Sequence, residues 1–294
     1  MFRGTGTALV TPFAEKGVDY KVFQRLIDVQ IDSGVQGLIV LGTTGEAPTV
    51  TDKERDEIVS FSVRASAGRI PVIVGTGANS TEHTVELSRR ACDLGADGIL
   101  VVTPYYNKPT QEGLFRHFET VARAVPIPII VYNVPGRTGC TILPETVARL
   151  AEIENVVGIK EASGDLSQVD ELIRRLKALR PDFLVYSGND DQAFHVGCSG
   201  GDGVISVLSN VVPRETVSMM NACLAGELAA ARDAHMRLFP LMKALFVETN
   251  PIPVKYAVFA LGLCGPEIRL PLVQASQGTR DRVDSCLADL RLLS

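Results

Sequence analysis

Eight short runs rich in Val, Ile and Leu recur every ~25 to 30 residues, and the segments between them carry helical periodicity. The runs cover residues 6–11, 37–41, 71–75, 98–103, 128–132, 156–160, 183–187 and 203–207. Strands that are apolar almost throughout belong in a parallel sheet covered on both faces. Eight alternating units fit a closed barrel better than an open doubly wound sheet, which usually stops at five or six strands. The pattern therefore predicts an α/β fold, a (β/α)8 barrel. Helix starts agree: Thr51-Asp52-Lys53-Glu54 is a capping box, Ser80 and Thr81 are hydroxyl caps, and Pro144 suits a first turn. About 80 residues follow the eighth run, more than a barrel needs. Residues 229–245 and 253–261 read as helices, which divides the chain into a barrel over residues 1–224 and a small helical C-terminal extension over 225–294. No Ser/Gly-rich linker separates the two parts, so the extension is expected to pack on the barrel.

Lys and Arg number 29 against 34 Asp and Glu, a net charge of −5, which argues against nucleic acid or an anionic membrane as partner. The longest uncharged stretches, residues 33–45 and 124–136, are 13 residues each, short of the ~20 needed to span a bilayer. The start has no apolar signal region, and the six cysteines are scattered without a CxxC pair. Reduced thiols and a cytoplasmic location are expected. There is no GxxxxGK[ST], HExxH or GxSxG, and Gly75-Thr76-Gly77 lacks the third glycine of a dinucleotide fingerprint. The four histidines are dispersed, so neither a metal cluster nor a histidine base is supported.

Active sites of such barrels lie at the carboxyl ends of the strands, where this chain is unusually polar. Lys160 is one of eight lysines and interrupts the apolar run Val156-Val157-Gly158-Ile159-Lys160. On the barrel interior its amine is partly desolvated and available to attack a ketone carbonyl; otherwise it snorkels to the rim or pairs with Glu161. Tyr132 closes the preceding run, placed either to shuttle protons or simply to pack. Thr43 and Thr44 sit in a Gly-flanked turn suited to a carboxylate, or to capping a helix. Arg137 follows a Pro-Gly turn at the barrel mouth, either gripping a second carboxylate or merely solvated. The Gly-rich run over residues 197–203 reads as a helix-to-strand turn at the far end of the barrel.

Five segments, taken in order, resemble the dihydrodipicolinate synthase family of pyruvate-dependent Schiff-base aldolases across essentially the whole chain. They are Gly42-Thr43-Thr44-Gly45-Glu46, Thr103-Pro104-Tyr105-Tyr106-Asn107, Tyr132-Asn133-Val134-Pro135-Gly136-Arg137-Thr138-Gly139, Gly158-Ile159-Lys160-Glu161-Ala162 and Asn250-Pro251-Ile252-Pro253-Val254-Lys255. The resemblance implies that Lys160 forms an imine with pyruvate and that Tyr132, Thr43 and Tyr106 make a hydroxyl relay, Tyr106 being supplied by a neighbouring subunit. It implies that Thr44 binds the pyruvate carboxylate beside Gly188 and Ile205, and that Arg137 holds the carboxylate of L-aspartate 4-semialdehyde. A homo-oligomer, commonly a dimer of dimers, and a reaction without cofactor are implied with it. The related N-acetylneuraminate lyases and 2-keto-3-deoxy sugar-acid aldolases share the Lys and Tyr but generally lack Pro-Gly-Arg-Thr-Gly, so the synthase reading is favoured. A keto-acid sensor has no need of an amine beside a proton relay. Lysine-inhibited members line an interface site in which Asn79 and Tyr105 match. There Ala47 replaces a Ser, Asp52 and Arg55 fall where His residues would be, and His83 falls where a Glu would be. Loss of that carboxylate predicts weak or absent inhibition by lysine.

Overall fold

The computed structural model describes residues 1–293. Eight parallel strands close into a barrel: β1 Gly4–Ala8, β2 Gly37–Val40, β3 Val72–Gly75, β4 Gly98–Val102, β5 Ile129–Asn133, β6 Val156–Glu161, β7 Leu184–Ser187 and β8 Gly203–Ser206. Each strand pairs with its sequence neighbours, and β1 closes the ring by pairing with both β2 and β8. Every predicted run overlaps one strand. Strand β1 starts two residues ahead of its run and stops at Ala8, because Gly4 already donates to the Asp202 carbonyl while the Val10 amide turns to Asn210 Oδ1. A two-stranded hairpin, Phe13–Ala14 with Gly17–Val18, follows β1 and has no counterpart in the apolar pattern.

Helices α1 Tyr20–Asp32, α2 Asp52–Ser66, α3 Thr81–Asp93, α4 Gln111–Ala124, α5 Pro144–Leu150, α6 Leu166–Leu179, α7 Asp190–Cys198 and α8 Pro213–Leu224 follow the strands in turn. Thr51 and Glu54 form the reciprocal capping box of α2, Ser80 caps α3, and Pro144 occupies the first turn of α5. Beyond these lie α9 Leu228–Ala244 and α10 Ile252–Ala260, each one residue from its expected start, and α11 Gln277–Asp289. Helix α11 was not anticipated: it buries Thr279, Val283, Cys286 and Leu287 along one face, too thin an apolar stripe to stand out. Residues 197–203 form the expected turn into β8 at the far end of the barrel, with Gly200 at φ +99°.

Side chains alternate between two cores. Outward-facing residues pack against the helices; Ile39, Ile73, Leu100, Ile130, Tyr186 and Ile205 fill the barrel. Phe2 closes the floor, its ring centroid 4.8 Å from that of Tyr186 at a 31° tilt, and the Tyr186 hydroxyl donates to the Phe2 carbonyl. Glycine is required there, since a Cβ on Gly37 would lie 2.6 Å from the Phe2 ring. No helix among the described residues is long and apolar enough to cross a membrane.

One buried group makes the fold acid-sensitive. His117 of α4 meets Thr81 through Nδ1 at 2.9 Å, its Nε2 has no partner among the described residues, and burial pulls its pKa from 6.5 to about 4. The folded state therefore binds this proton less readily than the unfolded chain, so stability is full above pH 6.5 and declines as pH falls toward 4. Thermal unfolding between pH 7 and 4 should show a loss on the order of 3 kcal/mol from this group. His117→Gln should flatten that slope, and an unchanged slope would refute the assignment.

Candidate active site

The alternation of β6 decides which way its polar residues point. Lys160 faces the barrel interior, flanked in register by Tyr132 on β5 and Tyr186 on β7, while Glu161 faces outward. Glu161 is fully occupied there: it accepts from Asn133 Nδ2 at 2.9 and 3.1 Å, from the Ser163 amide at 2.7 Å and from Gln168 at 3.1 Å. It is therefore not the partner of Lys160. The lysine is 5% exposed, its Nζ lies 4.3 Å from the centroid of the Tyr132 ring, and it makes no hydrogen bond or ion pair among the described residues. Gly188 gives it room, because a Cβ there would sit 3.0 Å from Lys160 Cε and 2.6 Å from Ala162 Cβ.

Lys160 opens into a cavity of about 790 Å³ that is also lined by Tyr132, Thr43, Thr44, Arg137 and Gly188. On one wall the chain after β2 turns back at residues 42–46: Gly45 and Glu46 donate to the carbonyls of Gly42 and Thr43. The amides of Thr43 and Thr44 have no acceptor among the described residues, so the turn presents two donors suited to an anion. Glu46 holds the turn from below with φ +55° and a buried carboxylate. It accepts from Lys255 Nζ of α10 at 2.6 Å and from the Arg269 amide at 3.0 Å. Burial pulls the Lys255 ammonium below its ordinary pKa, and the Glu46 charge opposes that pull.

Arg137 lines the same cavity, exposed on a one-turn helix, Pro135–Thr138, that ends in Gly139 at φ +73°. Its Nη2 donates to the Asn250 carbonyl at 3.1 Å, while Asn250 Nδ2 donates to Thr44 Oγ1 at 3.0 Å. Asn250 thus joins the turn at residues 42–46 to the Arg137 helix, and nothing local to its segment signals contacts with residues 113 and 206 positions away. Asp190 is buried at the same end of the barrel and accepts from Ser206 Oγ at 2.5 Å and from the amides of Val207 and Leu208 at 2.9 Å. Burial raises its pKa, and those bonds, with the Lys160 charge, act the other way.

Two sequence candidates stand apart from this cavity. Ile205 is completely buried in the barrel core, and Val207 lines the cavity in its place. Tyr106 is 89% exposed at φ +75° and does not line its own chain's cavity. Among the described residues no hydrogen bond joins the Tyr132 hydroxyl to Thr43.

The profile of the dihydrodipicolinate synthetase family matches residues 1–290. The chain belongs to the dihydrodipicolinate synthetase family. A family member from Kosmotoga olearia, a 4-hydroxy-tetrahydrodipicolinate synthase, is 61% identical over 293 residues that cover 100% of both chains. The Thermotoga maritima dihydrodipicolinate synthase structure superposes with a TM-score of 0.98 at 53% identity, covering 100% of each chain. The Acinetobacter baumannii enzyme, solved with pyruvate, superposes at 0.96 with 42% identity over 100% of each chain. A (β/α)8 barrel is common to these dihydrodipicolinate synthases and to this chain.

Proposed function

We propose that the chain condenses pyruvate with L-aspartate 4-semialdehyde through an imine on Lys160, the 4-hydroxy-tetrahydrodipicolinate synthase reaction. The observation that carries this reading is a buried lysine, unpaired among the described residues, facing a cavity also lined by the turn at residues 42–46 and by Arg137. Lys160 Nζ attacks C2 of pyruvate and water leaves, giving an imine whose nitrogen serves as the electron sink. Loss of a C3 proton gives an enamine, and C3 attacks the aldehyde carbon. The substrate amine then attacks C2, closing the ring and releasing Lys160. No separate cofactor enters this sequence.

Tyr132 stands beside the amine and moves the protons, with Thr43 and the Tyr106 of a neighbouring copy completing the relay. The near-complete exposure of Tyr106 supports its use in a second copy. Thr44 and its turn hold the pyruvate carboxylate, Gly188 and Val207 shape the same pocket, and Arg137 holds the second carboxylate. In this reading the protein is a cytoplasmic homo-oligomer, a dimer of dimers, in the diaminopimelate route to lysine. Residues 1–224 carry the catalytic barrel, and 225–294 are an extension that steadies its mouth through Asn250 and Lys255.

The test is turnover of pyruvate with L-aspartate 4-semialdehyde coupled to a dihydrodipicolinate reductase. Arg137→Ala should raise KM for the semialdehyde about 10²-fold, with little change in KM for pyruvate. No turnover by the native chain, together with cleavage of an N-acetylneuraminate or a keto-deoxy sugar acid, would overturn the reading. Lysine is expected to inhibit only weakly, since His83 stands where a carboxylate would meet its ammonium and Ala47 where a hydroxyl would. A submillimolar inhibition constant at neutral pH would contradict that.

A further inference from the structure

Among the described residues, Lys160 is the one amine that lines the catalytic cavity, and it makes no hydrogen bond or ion pair. The lining divides by polarity. Ala8, Ile39 and Leu100 belong to the packed interior of the barrel and are at most 3% exposed, and the buried Val134 and Val207 line the cavity with them. The groups nearer solvent are Ser163, Asn189, Glu248 and the exposed Arg137. Glu248 is the one carboxylate on the lining among the described residues, and it is engaged at the start of α11, accepting from the Ser276 amide at 3.2 Å and from Thr279 Oγ1 at 2.8 Å. The inner end of the cavity therefore holds a free amine against apolar side chains, with no second charge among the described residues there.

That combination bears on what an imine at Lys160 can do. The imine nitrogen draws electrons from a bond to C3, and the group lost from C3 is either a proton or a carboxylate. Removing a proton requires a base. Removing a carboxylate does not, because carbon dioxide leaves as a neutral molecule. A carboxylate on C3 that turns toward Ala8, Ile39 and Leu100 loses its water and finds no donor among those side chains, so its anionic form is disfavoured before the bond breaks. The cavity, at about 790 Å³, has ample room for a fourth carbon.

We infer that the chain also decarboxylates 2-oxo acids that carry a carboxylate on C3. This rests on the imine proposed above. The C1 carboxylate sits on the Thr43–Thr44 turn, Lys160 Nζ bonds to C2, and one water leaves. The C3–C4 bond then breaks, its electron pair becomes the C2–C3 double bond of the enamine, and carbon dioxide departs. C3 takes up one proton, water adds to C2, and the shortened 2-oxo acid is released with Lys160 free. One proton is consumed and one carbon dioxide formed per turnover, with no oxidant, reductant or metal.

The test uses oxaloacetate with the full chain in EDTA, which suppresses metal-catalysed background, and reads pyruvate through a lactate dehydrogenase. The native chain should exceed the buffer rate by about tenfold or more, and Lys160→Ala and Lys160→Arg should not exceed it. Borohydride added with oxaloacetate should leave a reduced pyruvate adduct on the Lys160 peptide. Native chain blocked beforehand with pyruvate and borohydride should also fall to the buffer rate, which carries the test if the variants do not fold. A native rate equal to buffer, with pyruvate still trapped on Lys160, would overturn the decarboxylation and leave the synthase reading standing. An adduct that retains the fourth carbon, or a full rate in the blocked chain, would also overturn it. Failure of pyruvate itself to be trapped on Lys160 would overturn the imine and both readings with it.

Discussion

Lys160→Ala is expected to lose activity by roughly 10⁴-fold or more while the protein keeps its fold. The expectation rests on position. Lys160 makes no hydrogen bond or ion pair among the described residues, so its removal costs the packing of an aliphatic stem and little else. Its amine, by contrast, is the atom that bonds to pyruvate in the proposed reaction. Borohydride added with pyruvate should fix the adduct on the Lys160 peptide of the native chain, read as a mass shift, and leave the variant unlabelled. Lys160→Arg should be as inactive as the alanine variant, because a guanidinium stays protonated and cannot form the imine. Labelling on another lysine, or a variant within tenfold of native turnover, would remove Lys160 from the mechanism.

Glu46→Gln should be the most destabilising single change near the site. It leaves the Lys255 ammonium buried at 3% exposure with its anionic partner gone, a situation that costs about 3 to 5 kcal/mol. For a domain of this size that corresponds to a fall in Tm of roughly 5 to 8 °C. Adding Lys255→Met to Glu46→Gln should recover much of the loss, since the unpaired charge is then gone. The pair of measurements separates a buried-charge penalty from mere loss of packing. If the double variant is no more stable than Glu46→Gln alone, the ion pair is not what holds the turn at residues 42–46.

The barrel was legible because most strands are nearly continuous apolar runs and the runs come at regular spacing. Lys160 was legible for the same reason in reverse: a charge at the end of an apolar strand is conspicuous, and period-two alternation says which face it takes. What separates Lys160 from Glu161 was not legible. Asn133, Ser163 and Gln168 claim the carboxylate, and no local pattern reports contacts that reach from β5 and from the loop and helix after β6. The same applies to Asn250 and Lys255, whose partners Thr44 and Glu46 lie more than 200 residues earlier. Helix α11 escaped because its buried stripe is narrow.

Asn250 grips Thr44 with its side chain and Arg137 with its carbonyl. The span between the turn and the arginine proposed to hold the two carboxylates is therefore gauged by one residue, which lines the same cavity and lies outside the barrel strands. A gauge of that kind can be reset without rebuilding the chemistry. Changes confined to the segment ahead of α10 would widen or narrow the span between the anchors, and with it the length of acceptor that fits, while the lysine and its neighbours stay as they are.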